Sequence, residues 1–229
     1  MSQTPQIKYA IFDLDGTLLD TETIYTIATQ KYLDEYANGV KFTYDVKKQL
    51  MGRHINVSTQ ILLDTYHIND TLEHAVQYKI ETLNKLWPTV KPLPGAMRIL
   101  NYFKKHNIPI ALATSTTKAV FDIKMQGKKE MLDYFDVIVL GDDPHVKEAK
   151  PNPQIFLHAG HLLGCTDMKQ AIVFEDAVLG VQAGIASGAY TVAIPDHEHP
   201  EDPYFQNAYT VLKSLNEFDP KIFGLPNDY

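Results

Sequence analysis

Two aspartates separated by a single residue follow a short apolar segment near the start of the chain. The segment Tyr9–Phe12 has the composition of a buried strand, and Asp13 and Asp15 come directly after it. A partly buried carboxylate is costly unless a cation or a hydrogen-bond donor stabilises it. We therefore expect these acids to do chemistry. One could bind a hard cation and attack phosphorus, while the other transfers a proton.

Three further apolar segments also lead to polar side chains, which are hydroxyls, a cation and a second pair of acids. They are Thr114 and Ser115 after residues 110–113, Lys150 in the loop after residues 137–140, and Glu175 and Asp176 after residues 171–174. In open α/β sheets, ligands bind at the carboxyl ends of the strands. A surface lysine or a helix-capping threonine would be ordinary alone, but all of these together indicate a site.

A divalent cation would make this set of residues suitable for phosphoryl transfer. Carboxylate oxygens from Asp13, Glu175 and Asp176 suit Mg²⁺, which would offset the repulsion between a phosphate dianion and an attacking carboxylate. The predicted ligand set also includes Asp15, through its main-chain carbonyl. The ammonium of Lys150 and the hydroxyls of Thr114 and Ser115 are predicted to bind the phosphate oxygens that are not transferred.

The two N-terminal aspartates then have separate predicted roles. Asp13 is the nucleophile and forms an aspartyl-phosphate. Asp15 protonates the leaving alkoxide and afterwards helps a water molecule to attack the intermediate.

The order of elements that must position these residues predicts two domains. Residues 1–20 and 95–229 show an alternation of short apolar strands and helical patterns, which is typical of an α/β core with a parallel sheet. Residues 21–94 show helical periodicity instead, with apolar stripes at Ile24, Ala28 and Tyr32, at Val57, Ile61 and Leu62, and at Leu72, Val76, Ile80 and Leu83. A small helical domain is therefore expected, inserted after the first strand. The segment 91–95, rich in proline, marks its end.

Composition narrows the class of protein. The 229 residues carry 28 acids against 21 lysines and arginines, for a formal net charge of -7, which argues against a nucleic-acid polymer as partner. Cys165 is the single cysteine, so a reducing compartment fits. Apolar runs are too short for a membrane span. We expect a cytoplasmic monomer that acts on a small molecule.

The motifs Asp13-Leu-Asp-Gly-Thr, Thr114, Lys150-Pro and Glu175-Asp176 resemble, in this order, the four motifs of the haloacid dehalogenase (HAD) superfamily. The resemblance implies a Rossmann-like core, Mg²⁺-dependent phosphomonoester hydrolysis and a helical cap domain that closes over the site and selects the substrate. In such a cap, Arg53 and His54 could reach the leaving group; a solvated loop is an equal alternative.

Longer stretches resemble a eukaryotic subgroup of pseudouridine-5′-phosphatases and glycerol phosphate phosphatases. They are residues 111–124, 140–157, 173–184 and 223–229. The resemblance implies pseudouridine 5′-phosphate as the first choice of substrate, with glycerol phosphate or another sugar or polyol phosphate as the alternative.

Three other functions are less favoured. A β-phosphoglucomutase would carry a histidine base at the position of Tyr25, and a tyrosine is a poor base at neutral pH. A receiver-type signalling domain would lack both the second aspartate and the helical insert. A HAD protein that only binds a partner would tolerate loss of Asp13, Asp15, Lys150 or Asp176, and all four are present.

Overall fold

The computed structural model describes residues 5–50, 55–196 and 203–229. The chain forms two compact units: a sheet unit, Met1–Asp20 with Lys91–Tyr229, and a helical unit, Thr21–Val90. The segment 91–94, which the sequence had assigned to the helical insert, lies with the sheet unit. The N–H of Asp20 donates to the carbonyl of Lys91, and that of Leu93 donates to Leu18. These bonds hold the two connecting segments side by side.

The sheet unit contains a six-stranded parallel sheet, in the order β3-β2-β1-β4-β5-β6. Its strands are β1 (Tyr9–Phe12), β2 (Ile110–Ala113), β3 (Val137–Val139), β4 (Ala171–Glu175), β5 (Tyr190–Ala193) and β6 (Thr210–Val211). β1 lies between β2 and β4. The carboxyl ends of these three strands are therefore adjacent, as the predicted site requires. The predicted α/β class and Rossmann-like parallel sheet are confirmed.

The α-helices are divided between the two units. The helical unit contains α1 (Thr21–Tyr36), α2 (Tyr44–Leu50), α3 (Ile55–Tyr66) and α4 (Leu72–Leu86). The sheet unit contains α5 (Ala96–Lys105), α6 (Lys118–Lys124), α7 (Lys129–Leu132), α8 (Gln154–Leu162) and α9 (Val178–Ala186). Short 3₁₀ helices span Trp87–Thr89, Met168–Gln170, Pro203–Asn207, Leu215–Glu217 and Pro220–Phe223. Within the described ranges, no helix is both long and apolar enough to cross a membrane.

The central strands β1, β2 and β4 are buried on both faces of the sheet, and successive residues of each strand point to opposite faces. On one face Phe12 stacks on Phe174 with ring centroids 4.4 Å apart, and Phe103 of α5 packs edge-on against both rings. On the other face Ile11 and Val173 join a cluster formed with α8 and α9. Strands buried on both sides read as continuous apolar runs, which is why the sequence revealed them.

The helical unit confirms one predicted stripe and corrects two. Ile24, Ala28 and Tyr32 of α1 are buried as expected. In α3, however, Val57 is exposed, and the buried face consists of Ser58, Thr59, Leu62 and Leu63. In α4, Ile80 is exposed, and the buried face consists of Ala75, Lys79 and Leu83. Small and polar residues occupy these faces where the helices pack, so hydrophobicity alone misplaced the stripes.

Candidate active site

The turn after β1 brings Asp13 and Asp15 to the edge of the sheet. Its backbone reverses at Gly16, which has φ of +76° and faces Asp176 so closely that an added Cβ would lie 2.1 Å from the Oδ2 atom. A side chain is therefore excluded at this position for both conformational and steric reasons. The next residue, Thr17, is fully buried, and its hydroxyl donates to Oδ1 of Asp176 at 3.0 Å. Thr17 therefore links the turn after β1 to Asp176, which follows β4.

Lys150 connects two of the acids. Its ammonium lies 2.5 Å from Oδ1 of Asp13 and 2.7 Å from Oε1 of Glu175, and it also donates to the carbonyl of Ala113 at 3.3 Å. The side chain is only 9% exposed, so these contacts are made away from bulk water, where charge–charge interactions are stronger. A single cation thus holds the ends of β1, β2 and β4 together.

The charges around Asp13 set its protonation. Burial raises the pKa of Asp13 to about 7, the negative charges of Glu175 and Asp15 act in the same direction, and Lys150 opposes them. For Lys150, burial acts to lower the pKa, but Asp13 and Glu175 outweigh it and hold the pKa above its ordinary value. Lys150 therefore stays a cation, whereas Asp13 is partly protonated near neutral pH.

Glu175 is held on both of its oxygens. Oε1 accepts from Lys150, and Oε2 accepts from the backbone N–H groups of Asp176 at 3.0 Å and Ala177 at 3.2 Å. The side chain lies against Gly180 of α9, where an added Cβ would come within 1.9 Å of the carboxylate. The orientation of Glu175 is therefore fixed by the start of α9 as well as by Lys150.

Asp15 has its own cation, which the sequence did not reveal. Lys124, at the end of α6, is 1% exposed and places its ammonium 2.6 Å from Oδ1 of Asp15. Oδ2 of the same carboxylate accepts from the hydroxyl of Thr116 at 2.6 Å, and this hydroxyl in turn accepts from Lys124 at 3.1 Å. Both oxygens of Asp15 are thus engaged, and its rotamer is defined by two neighbours.

The two hydroxyl residues predicted to bind phosphate differ in their surroundings. Thr114 is fully buried; its Oγ1 accepts from the N–H of Thr116 at 3.1 Å and lies 3.5 Å from Oδ2 of Asp15. Ser115 is exposed, and its carbonyl packs against Gly141. Thr114 therefore joins the cluster through Asp15, whereas Ser115 lies on its solvent side.

Carboxylate oxygens of Asp13, Glu175 and Asp176 lie within 4.8 Å of one another and could hold a metal ion. With Asp15, the site has four acids against the two cations Lys124 and Lys150. If every group is ionised, the sum is two negative charges, which one divalent cation would balance. Oxygen donors of this kind are those that hard cations prefer.

The structure thus gathers Asp13, Asp15, Thr114, Lys150, Glu175 and Asp176 at one edge of the sheet. Arg53 and His54, the predicted substrate-selecting residues, lie outside the described residues. Lys124 and Thr116 were missed. One signal for Lys124 was available, because it follows Phe121 at a spacing of three on the buried side of α6, and a lysine on an apolar helix face usually has a partner.

Comparison with known proteins shows the class to which this fold and site belong. The family model described as haloacid dehalogenase-like hydrolase matches residues 10–194. The chain therefore belongs to the haloacid dehalogenase-like hydrolases, and the family predicted from the four motifs is confirmed.

Several similar proteins are named as phosphatases. The chain is 38% identical over 225 residues to (DL)-glycerol-3-phosphatase 1, mitochondrial, of Arabidopsis thaliana, covering 96% of this chain and 74% of that protein. It is 36% identical over 240 residues to a probable pseudouridine-5′-phosphatase of Saccharomyces cerevisiae, covering 98% of this chain and 100% of that protein. These names agree with the predicted enzyme class, a phosphoric monoester hydrolase.

Among solved structures, a candidate beta-phosphoglucomutase of Thermotoga maritima has a TM-score of 0.76 and 28% identity. The match covers 95% of this chain and 97% of that one. Both units of this chain therefore fall within the aligned architecture.

Proposed function

We propose that this protein is a Mg²⁺-dependent phosphomonoesterase that hydrolyses a small phosphorylated metabolite through an aspartyl-phosphate on Asp13. The observation that supports it most is the ammonium of Lys150, held between Asp13 and Glu175 in a buried position. A fixed cation beside a buried carboxylate is suited to a reaction in which negative charge spreads over phosphate oxygens.

The first step needs Asp13 as a carboxylate. One oxygen of Asp13 is held by Lys150 at 2.5 Å, which orients the group and favours its ionised form. The other oxygen attacks phosphorus, the bond from phosphorus to the alkoxide breaks, and the phosphoryl group moves to Asp13. Lys150, together with Thr114 and Ser115, is proposed to stabilise the phosphoryl oxygens as charge builds up on them.

Asp15 manages the proton in both steps. It gives a proton to the leaving alkoxide and then takes one from the water that attacks the aspartyl-phosphate. Lys124 and Thr116 hold its two oxygens in the resting protein. We assign Lys124 as a positioning residue, because its ammonium contacts Asp15 and the proposed reaction does not require it to contact the substrate.

Mg²⁺ fits the donor set better than a softer metal does. Asp13, Glu175 and Asp176 supply only carboxylate oxygens, and the main-chain carbonyl of Asp15 is the fourth proposed ligand. Bound there, the ion would neutralise part of the charge on the phosphate. Because both oxygens of Glu175 also accept hydrogen bonds, Asp13 and Asp176 are proposed as the principal side-chain ligands.

Two substrates have support, and the relatives do not separate them. Pseudouridine 5′-phosphate is our first choice, supported by the name of the yeast relative at 36% identity. Glycerol 3-phosphate is the alternative, supported by the Arabidopsis relative at 38% identity. We propose that the helical unit acts as a cap and makes this choice, with Arg53 and His54 as its candidate contacts.

The class of reaction is tested with p-nitrophenyl phosphate, with and without Mg²⁺, on the wild type and on Asp13→Asn. Turnover that requires both the ion and Asp13 is expected. Hydrolysis that persists in Asp13→Asn, or in a chelator, would contradict the proposal. The substrate is tested by ranking phosphorylated metabolites by kcat/KM. Pseudouridine 5′-phosphate must exceed both p-nitrophenyl phosphate and glycerol 3-phosphate for the first choice to stand.

The mutase alternative has one supporting observation, the solved structure of the Thermotoga maritima protein. In this chain Tyr25 takes the place of the expected histidine, and its ring packs edge-on against Trp87 with centroids 5.1 Å apart. The substrate panel should therefore include β-glucose 1-phosphate, with glucose 6-phosphate and free phosphate both measured. Release of phosphate without glucose 6-phosphate would exclude the mutase.

The cytoplasmic location and the monomeric state stay predictions.

A further inference from the structure

A second group of possible metal ligands lies outside the acidic site. Asp143 and His145 belong to the loop between β3 and α8, and His158 lies on α8 itself. One ligand atom from each residue falls within 4.8 Å of the others. None of the three takes part in the proposed phosphatase reaction, and their spacing in the sequence does not indicate a common site.

The arrangement brings the ring nitrogens of both histidines to one carboxylate. Oδ1 of Asp143 lies 3.1 Å from Nδ1 of His145 and 3.7 Å from Nε2 of His158. The two imidazole rings lie 4.9 Å apart between centroids, with an angle of 22° between their planes. A metal–imidazole bond lies in the plane of the ring, so the exposed ring of His145 must turn for both nitrogens to face one ion. Bonds of about 2.0–2.2 Å to a tetrahedral ion place ligand atoms roughly 3.3–3.6 Å apart, and the distances of 3.1 and 3.7 Å lie on either side of this range.

We propose that Asp143, His145 and His158 form a binding site for a first-row transition metal ion of the zinc type. Two imidazoles and one carboxylate suit such ions, whereas Mg²⁺ prefers oxygen donors alone. Three protein ligands leave a fourth position for water. The chemistry of this site therefore differs from that of the acidic site.

The surroundings prepare the carboxylate for this role. The backbone N–H of His145 donates to Oδ1 of Asp143 at 2.8 Å and lowers the pKa of this carboxyl group, which keeps it ionised. The side chains of Asp143 and His158 are 23% and 16% exposed, while His145 is 72% exposed. Two ligands are thus largely shielded from solvent, and the third is open to it, so an ion can enter.

Occupation of the site would add a link between the loop and α8. The loop is already attached to the start of α8, because Oε1 of Gln154 accepts from the N–H groups of Lys147 and Glu148. The same loop carries Lys150. A bound ion would therefore stiffen the segment that delivers this lysine, and would raise the stability of the folded protein by binding it preferentially.

The test is a calorimetric titration of the full chain with ZnCl₂ in excess Mg²⁺, at about pH 7.5, where most histidines are neutral. The excess Mg²⁺ fills sites made only of oxygen donors, so the heat of zinc binding reports on sites that contain imidazole ligands. One equivalent is expected to bind, and the double variant His145→Ala/His158→Ala should lose at least about tenfold in affinity. His161→Ala, which removes an exposed histidine of the same helix, should bind as the wild type does.

Two further measurements keep the outcome clear. Zn²⁺ should raise the melting temperature of the wild type and of His161→Ala, but not that of the double variant. Co²⁺ should give the visible absorption of a tetrahedral site only where both histidines remain. Equal binding by the wild type and the double variant, or zinc binding that disappears in Asp13→Asn instead, would overturn the proposal. Neither result depends on phosphatase activity.

Discussion

The ammonium of Lys124 lies 2.6 Å from Oδ1 of Asp15, and the lysine side chain is 2% exposed while the aspartate is 26% exposed. A buried cation thus holds the carboxylate proposed to move the proton. Because α6 carries Lys124 and the loop before α6 carries Thr116, one short segment after β2 controls the orientation of a residue that follows β1.

Replacing this lysine should therefore reduce turnover more than substrate binding. We expect Lys124→Met to lower kcat by roughly tenfold to a hundredfold. General acid–base catalysis raises a rate by about 10²-fold or more, and this gain depends on the orientation of the carboxyl group that transfers the proton. KM should change little, and Lys124→Arg should restore part of the rate. Lys118→Met is the control on the same helix, since Lys118 pairs with the exposed Asp122. Equal losses in the two methionine variants would contradict the positioning role.

Binding of Mg²⁺ to the proposed site should release protons near neutral pH. The pKa of Asp13 is raised to about 7, so below this pH the ion must displace a proton from its ligand. The apparent affinity for Mg²⁺ should therefore fall as the pH is lowered from about 8 to about 6, and level off above that range. Calorimetry in buffers of different ionisation enthalpy measures the released protons. Asp13→Asn should release none, and an affinity that is constant across this range would refute the linkage.

Gly180→Ala should impair the reaction without replacing any residue of the acidic site. The new Cβ would lie 1.9 Å from the carboxylate of Glu175, which must then move away from Lys150 and from the backbone N–H groups that hold it. We expect kcat/KM to fall by roughly tenfold or more, since displacements of about 1 Å at a site can cost this much. Gly160→Ala is the matched control in α8, where the contact is with the flexible end of Met168. Wild-type kcat/KM in Gly180→Ala would argue against this packing requirement.

Lys79 in the helical unit should reduce stability at neutral pH. It is 5% exposed, burial lowers its pKa from 10.5 to about 8, and no residue in the described ranges forms a hydrogen bond or an ion pair with it. Lys79→Met should therefore raise the free energy of unfolding at about pH 7, by up to about 3 kcal/mol.

The pH dependence gives the sign of this effect. Between about pH 8 and pH 10.5 the unfolded chain binds more protons at Lys79 than the folded chain, so wild-type stability rises with pH in this range. The advantage of Lys79→Met, measured by urea unfolding at several pH values, should shrink accordingly. Lys85→Met, at an exposed position of the same helix, should show no such change. If Lys79→Met raised the free energy of unfolding by the same amount at every pH, the idea that burial lowers the pKa of Lys79 would be contradicted.

Much of the fold could be predicted because its signals are local. The strands β1, β2 and β4 are buried on both faces, so each appears as a continuous apolar run that ends on polar residues. Helical periodicity located α1 correctly but not the buried faces of α3 and α4. Those faces contain Ser58, Thr59 and Lys79, and only the packing of one helix on another determines that such residues are buried.

The sequence by itself determined the family, the parallel sheet and the identity of most groups in the acidic site, since each motif is contiguous and follows its own strand. Only the tertiary structure decided which groups bind one another. Lys150 meets Asp13 across 137 positions, Lys124 meets Asp15 across 109, and Thr17 donates to Asp176 across 159. Such pairs depend on the course of loops and on side-chain directions, which are set by the packing of the whole sheet unit. Neither produces a periodic pattern in the sequence from which the pairs could be predicted.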